Sequence, residues 1–166
     1  MKECEIDSLS IKDLENILKI EKEVEYSPWS REAFLFELNH NENARYLALR
    51  CGGQLVGYAG VWIFKKEAHV TTLSVAREKR GMGLGTILLW HLLDRSRKEG
   101  CQWITLEVSE ENTPAISLYK KFGFICTGFR KNYYDRGQDA LVMWAGSLQN
   151  KYFQEKMEEI KAGLPA

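Results

Sequence analysis

Residues 77–89, REKRGMGLGTILL, set Gly81, Gly83 and Gly85 at alternate positions behind Arg77, Lys79 and Arg80 and ahead of an apolar run. The first N–H groups of a helix lack intrahelical partners, and the helix dipole is positive there. A glycine turn that feeds a helix can therefore hold an anion. Glycine removes the Cβ atoms that would keep a phosphate off the backbone, and the three cations add charge beside it. A phosphate or pyrophosphate suits this pattern. A plain turn with positive φ accounts for the glycines alone equally well.

Two phosphate motifs do not match. A Walker loop needs G-x-x-x-x-G-K-[ST], which the chain lacks. A dinucleotide fingerprint begins as Gly81-x-Gly83 but meets Thr86 where its third glycine belongs. Glu107 lies near the position of that fold's ribose-binding acid, yet AREKR separates the strand from the first glycine, where a tight turn is required. Cys4, Cys51, Cys101 and Cys126 form no C-x-x-C pair, so reduced and mostly buried thiols are expected. His40, His69 and His91 are equally scattered, and no metal site is expected.

Several elements must position the loop. SIKDLENILKIEKE, residues 10–23, reads as a helix capped by Ser10, with Leu14, Ile17, Leu18 and Glu21 along one face. Ser30 caps a second helix. RYLALRC, the Gly52-Gly53 turn and QLVGYAGVWIF read as a hairpin, and AHVTTLSVA as a further strand. The helix after the loop stops at Gly100. QWITLEV is a strand, NTPAISLYKKFG a helix with Pro114 in its first turn, and FICTGFRKNYY with QDALVMWAG a closing antiparallel pair. Residues 147–162 read as one amphipathic helix with Leu148, Tyr152, Met157 and Ile160 as its apolar stripe. Strands and helices interleave, so the class is α/β or α+β.

The whole chain sets bounds. Its 166 residues suit one domain of ordinary size, and 45% hydrophobic residues suffice for a core. Lys plus Arg and Asp plus Glu are each 23, so the net charge is +0 and gives no general attraction to nucleic acid or an anionic membrane. MKECEIDSLS has no signal-peptide core, and no run approaches the ~20 apolar residues of a membrane span. A cytoplasmic monomer or weak dimer without nucleic-acid or membrane partners is expected.

Arg80-x-x-Gly83-x-Gly85, after a strand ending in LSV, resembles the GNAT superfamily of N-acetyltransferases, whose Q/R-x-x-G-x-G/A loop holds the pyrophosphate of acetyl-CoA. LEVSEENTPAISLYKKFGF is similar to that superfamily's second run, in the same order and spacing. SPWS at 27–30, EAHVTTLSV at 67–75, LEV at 106–108 and RKNYY with DALVM at 130–143 resemble segments of the ribosomal-protein alanine N-acetyltransferase subfamily. The resemblance implies an acyl-CoA N-acyltransferase fold whose mixed sheet splays near its middle, in a domain over 1–146 followed by a helical tail over 147–166. It implies acetyl-CoA held by Leu73, Ser74, Val75, Arg80, Gly81, Met82, Gly83, Leu84, Gly85, Thr86, Asn112 and Ala115. It also implies a protein N-terminus as acceptor, from a ribosomal protein beginning with Ala or Ser, flanked by Trp29, Tyr133 and Tyr134.

Acetyl transfer from a thioester to an amine needs a neutral amine, a held oxyanion and a thiolate that leaves well. An α-amine titrates near ~8, against ~10.4 for lysine, so a carboxylate can relieve it of its proton more easily. Glu107, opposite in facing to Leu106 and Val108, is the candidate base; without the motif it reads as a solvated strand residue. Tyr119, with a phenol near ~10 against a thiol near ~8.5, is the candidate acid, or else a core aromatic. The chain departs from the subfamily at Thr72, where Asn is frequent, and at Ser109-Glu110-Glu111, where Arg usually follows LEV. A lysine or small-molecule acceptor, or a non-catalytic acyl-CoA module, are the competing readings.

Overall fold

Capping starts the helices where the sequence places them. Ser10 and Asp13 form a reciprocal capping box over a short 3-10 turn, Ile11–Asp13, which leads into α1 (Leu14–Glu21). Ser30 accepts the Ala33 N–H at 3.1 Å and opens α2 (Arg31–Asn39). The computed structural model describes residues 3–24, 28–133, 137 and 139–165.

Seven strands form one sheet in the order β1-β2-β3-β4-β5-β7-β6. They are β1 (Cys4–Ser8), β2 (Ala44–Cys51), β3 (Gln54–Phe64), β4 (Glu67–Val75), β5 (Trp103–Ser109), β6 (Ile125–Arg130) and β7 (Ala140–Gly146). The β2–β3 turn uses Gly52 and Gly53 at φ 61° and 79°, as the GG pair predicts. Every neighbouring pair is antiparallel except β4 and β5. Those two run parallel and pair only from Glu67–Trp103 to His69–Thr105. Past His69 they part, and the sheet opens at its middle.

Three more helices follow: α3 (Leu84–Lys98), α4 (Thr113–Lys121) and α5 (Lys151–Ala162). The larger core joins Leu88 and Leu92 of α3 and Phe153 and Met157 of α5 to Ala68, Val70, Ile104, Leu106 and Met143 of the sheet. A smaller core on the other side joins Ile17 of α1 and Phe34 of α2 to Tyr46, Ala48 and Tyr58.

Two expectations need correction. Cys4 and Cys51 are joined in a disulfide instead of standing as free thiols. They are 47 residues apart in sequence, but the β1–β2 register sets them directly opposite, with Cα atoms 4.1 Å apart. Cys101 is a buried thiol as expected, whereas Cys126 is exposed on β6. The tail helix begins only at Lys151, under an Asn150 cap that accepts the Phe153 N–H at 2.8 Å. Leu148, Met157 and Ile160 pack on the core as the stripe predicts, but Tyr152 faces solvent and its neighbour Phe153 is buried instead. Trp90 of α3 donates its Nε1–H to the Met157 carbonyl at 2.7 Å and fixes α5 on the domain.

Candidate active site

The glycine loop ends in a left-handed residue. Gly83, at φ 81°, is the N-cap of α3 and offers no side-chain cap. Its carbonyl accepts from Ile87 N, which leaves the N–H groups of Leu84, Gly85 and Thr86 without helical partners. Gly81 is also left-handed, at φ 76°. Arg80 donates from Nε to the Val75 carbonyl at 3.0 Å, so its guanidinium is held where β4 ends. The cavity over this loop is lined by Leu73, Ser74, Val75, Arg80, Gly81, Gly83, Leu84, Gly85, Thr86, Asn112 and Ala115. Those are the residues singled out for acetyl-CoA, save Met82, which is exposed and does not line it. Unpaired amides, no Cβ at three positions and two neighbouring cations, Lys79 and Arg80, suit a pyrophosphate.

A second cavity lies across the opening and shares Val24, Leu73, Ser74 and Asn112 with the first. Glu107 and Tyr119 both line it. Period-two alternation sends Leu106 and Val108 into the core and Glu107 to the other side, where its side chain is 12% exposed. One carboxylate oxygen lies 3.0 Å from Nε2 of His69, and the other 3.4 Å from Arg130. The hydrogen bond from His69 holds the Glu107 carboxyl below its ordinary range, outweighing burial, and the charge of Arg130 assists. His69 is itself fixed through Nδ1, 2.9 Å from Thr105 Oγ1.

Tyr119 is carried by α4, whose N-cap is Asn112; Asn112 Oδ1 accepts the Ala115 N–H at 3.3 Å. Its ring packs on Phe124 at 5.6 Å. Burial pushes the phenol up to about 12, so it stays protonated at neutral pH. Among the described residues its hydroxyl has no hydrogen-bond partner, and it faces the cavity.

Trp29 and Tyr133 line the same cavity from two different segments. Tyr134 lies outside the described residues. Trp29 is anchored by its backbone N–H, which donates to Glu21 Oε2 at 2.8 Å, and its ring meets Phe34 at 5.2 Å. Glu21 also accepts the Tyr58 hydroxyl, and burial pushes its carboxyl up. Glu21, Trp62 and His69 are among the lining residues that were not anticipated. Glu21 looked like the polar end of an apolar helix face, and His69 like a lone histidine. Alternation against the core positions Ala68 and Leu106 is the signal that puts His69 and Glu107 on the opposite sheet face. Glu111 lines the cavity over the glycine loop, and the acidic residues lining the second cavity are Glu21 and Glu107.

The model of the acetyltransferase (GNAT) family matches residues 11–124. The chain belongs to that family. This acetyltransferase is 33% identical over 143 residues to the ribosomal protein bS18-alanine N-acetyltransferase of Salmonella typhimurium, covering 83% of this chain and 94% of that one. It is 39% identical over 121 residues to the N-alpha-acetyltransferase RimI of Mycobacterium tuberculosis, covering 70% and 74%. The crystal structure of the ribosomal-protein-S18-alanine N-acetyltransferase from Escherichia coli superposes with a TM-score of 0.80 at 32% identity, over 87% of this chain and 94% of that one. The acetyltransferase is thus an enzyme that acylates nitrogen, in a family that takes its acetyl group from acetyl-CoA. Among the described residues, none of its helices is long and apolar enough to cross a membrane, and no cluster of side chains could hold a metal ion.

Proposed function

We propose that this enzyme acetylates the N-terminal α-amine of a protein, a ribosomal protein beginning with Ala or Ser, with Glu107 receiving the proton of the amine and Tyr119 protonating the departing sulfur. The observation that carries the reading is the meeting of two cavities at Leu73, Ser74 and Asn112, one over the glycine loop and one around Glu107 and Tyr119. The relatives named for acting on ribosomal protein bS18 support the acceptor.

Acetyl-CoA would supply the activated acetyl group, with its pyrophosphate against Gly81, Gly83 and Gly85 and its pantetheine chain along the free edge of β4. Beyond His69 that edge has no β5 partner, and backbone groups so exposed seek one. Glu107 presents a full negative charge to an incoming ammonium group and accepts its proton at a carboxylate oxygen. His69 and Arg130 hold that carboxylate in place. Tyr119, kept protonated by burial, can donate a hydrogen bond to the sulfur as negative charge develops there and so help bring a proton to the departing thiolate, which solvent can also supply. An α-amine near ~8 is partly neutral at pH 7.5, whereas a lysine amine at ~10.4 is neutral about one time in a thousand. A low-pKa carboxylate such as Glu107 matches the first better.

The test compares a peptide beginning Ala with a free N-terminus and the same peptide blocked there but carrying a lysine, each with labelled acetyl-CoA. Faster labelling of the free N-terminus is expected. Faster labelling of the blocked peptide would move the acceptor to lysine.

A further inference from the structure

Strand register builds an aromatic surface next to the acceptor cavity. Trp62 pairs with His69, His69 with Thr105, Thr105 with Trp144, and Trp144 with Ile125, so these residues form one row across β3, β4, β5, β7 and β6. The next row brings Phe64, Glu67, Trp103 and Gly146 together. Alternation turns both rows away from Ala68, Ile104 and Ala145, which enter the larger core. The core under α1 and α2 contains no residue of β5, β6 or β7. Phe64 is 61% exposed, Ile125 56% and Trp62 40%. A Cβ on Gly146 would lie 2.7 Å from the Trp144 ring and 3.4 Å from Trp103 Cβ. The Trp144 indole therefore lies over the glycine, flat along the sheet beside Trp103.

Exposed aromatic surface of this kind marks an interaction site, because large rigid rings gain most when a partner removes them from water. Its position says which partner. Trp62 and His69 belong to the first row and also line the acceptor cavity, and His69 touches Glu107. The surface is the continuation of that cavity along the sheet.

We propose that this face binds the stretch of the acceptor polypeptide that follows its first residues, as an extended chain with apolar side chains at alternate positions. The proposal rests on the N-terminal acceptor reading. From Glu107 to Trp103 is a strand distance of roughly 13 Å, so an extended acceptor reaches the second row after about four residues. A peptide of about three residues fills the cavity alone, and one of about twelve covers both rows. Alternate side chains of an extended chain face the sheet, which sets the required pattern.

The experiment measures kcat/KM for three free-N-terminus peptides sharing one start: a three-residue peptide, a twelve-residue peptide with alternate apolar residues, and the same twelve-mer with those residues changed to serine. Wild type is compared with the Phe64→Ser/Ile125→Ser double variant, whose two sites are exposed and outside the cavity. The wild type should favour the apolar twelve-mer by about tenfold, equal to ~1.4 kcal/mol and read in KM. The double variant should lose that preference and match wild type on the three-residue peptide. Equal kcat/KM of the wild type on all three peptides, or an equal loss by the variant on the short one, would overturn the proposal. So would a wild-type dimer, seen by sedimentation, that the variant dissolves, because a second copy would then cover the face. A wild type that acetylates the blocked lysine peptide but no free N-terminus removes the acceptor reading itself, and this one with it.

Discussion

Glu107 and Tyr119 illustrate how neighbours set a side chain's use. Both are ionisable, but their surroundings pull them apart: the His69 hydrogen bond keeps Glu107 charged, and burial keeps Tyr119 protonated up to about 12. Under the proposed chemistry, Glu107→Gln and Tyr119→Phe should each lower kcat by roughly 10²–10⁴-fold, the usual weight of proton transfer. Acetyl-CoA affinity, measured by calorimetry, should hardly change. Near-wild-type turnover in both variants at neutral pH would reduce them to scaffold. The same two shifts fix the pH profile. The Glu107 carboxyl is held below its ordinary range by the His69 hydrogen bond, so it is charged at neutral pH and adds no rise there; the rise in kcat/KM should follow the acceptor amine near ~8. Tyr119 loses its proton only near 12, so the profile should stay level to about pH 10. A fall in rate between pH 8 and 10 in a folded enzyme would contradict the assignment of Tyr119.

At the scale of elements, the proposed function assigns the pyrophosphate to the turn between β4 and α3, and Gly83 is its pivot. An L residue there is strained at φ 81°, and its Cβ would come within 2.9 Å of Pro165 in the C-terminal segment. Gly83→Asp adds a negative charge at the helix N-terminus proposed to hold the pyrophosphate, a loss beyond strain alone. We expect CoA affinity to fall at least tenfold while circular dichroism stays native; tenfold is ~1.4 kcal/mol. Unchanged CoA affinity in the folded variant would place the pyrophosphate elsewhere. Gly83→Ala, with strain but no charge, should lose less.

At the scale of the whole molecule, α5 is joined to the core of the acetyltransferase domain. Phe153 and Met157 sit in the same cluster as Leu88 and Leu92 of the helix that follows the glycine loop. Phe153→Ala removes a buried ring and should cost about 3–5 kcal/mol, read as a lower denaturant midpoint. The exposed neighbour Tyr152→Ala should cost little, because its ring is already in water. Equal effects of the two would mean that α5 does not dock through this face.

The sequence by itself determined the elements and the shape of the glycine loop, because those depend on local rules. Caps at Ser10 and Ser30, the glycine turn at Gly52-Gly53 and the spacing of Gly81, Gly83 and Gly85 all act within a few residues of chain. Alternation around Glu107 was equally local, and it told which way the carboxylate faces. Only the tertiary structure decided what meets across the sheet. His69 joins Glu107 because β4 and β5 run parallel for three residues before parting, and Cys4 meets Cys51 because β1 lies in register with β2. Glu21 reaches the cavity because Tyr58 and Trp29 draw its buried carboxylate toward them. On α5, Met157 and Ile160 pack on the core as the stripe predicts, but Phe153, four residues before Met157, shares that face and Tyr152, five before, does not. Such pairings join residues far apart in the chain, and register, which sets them, depends on the packing of the whole sheet rather than on any one strand.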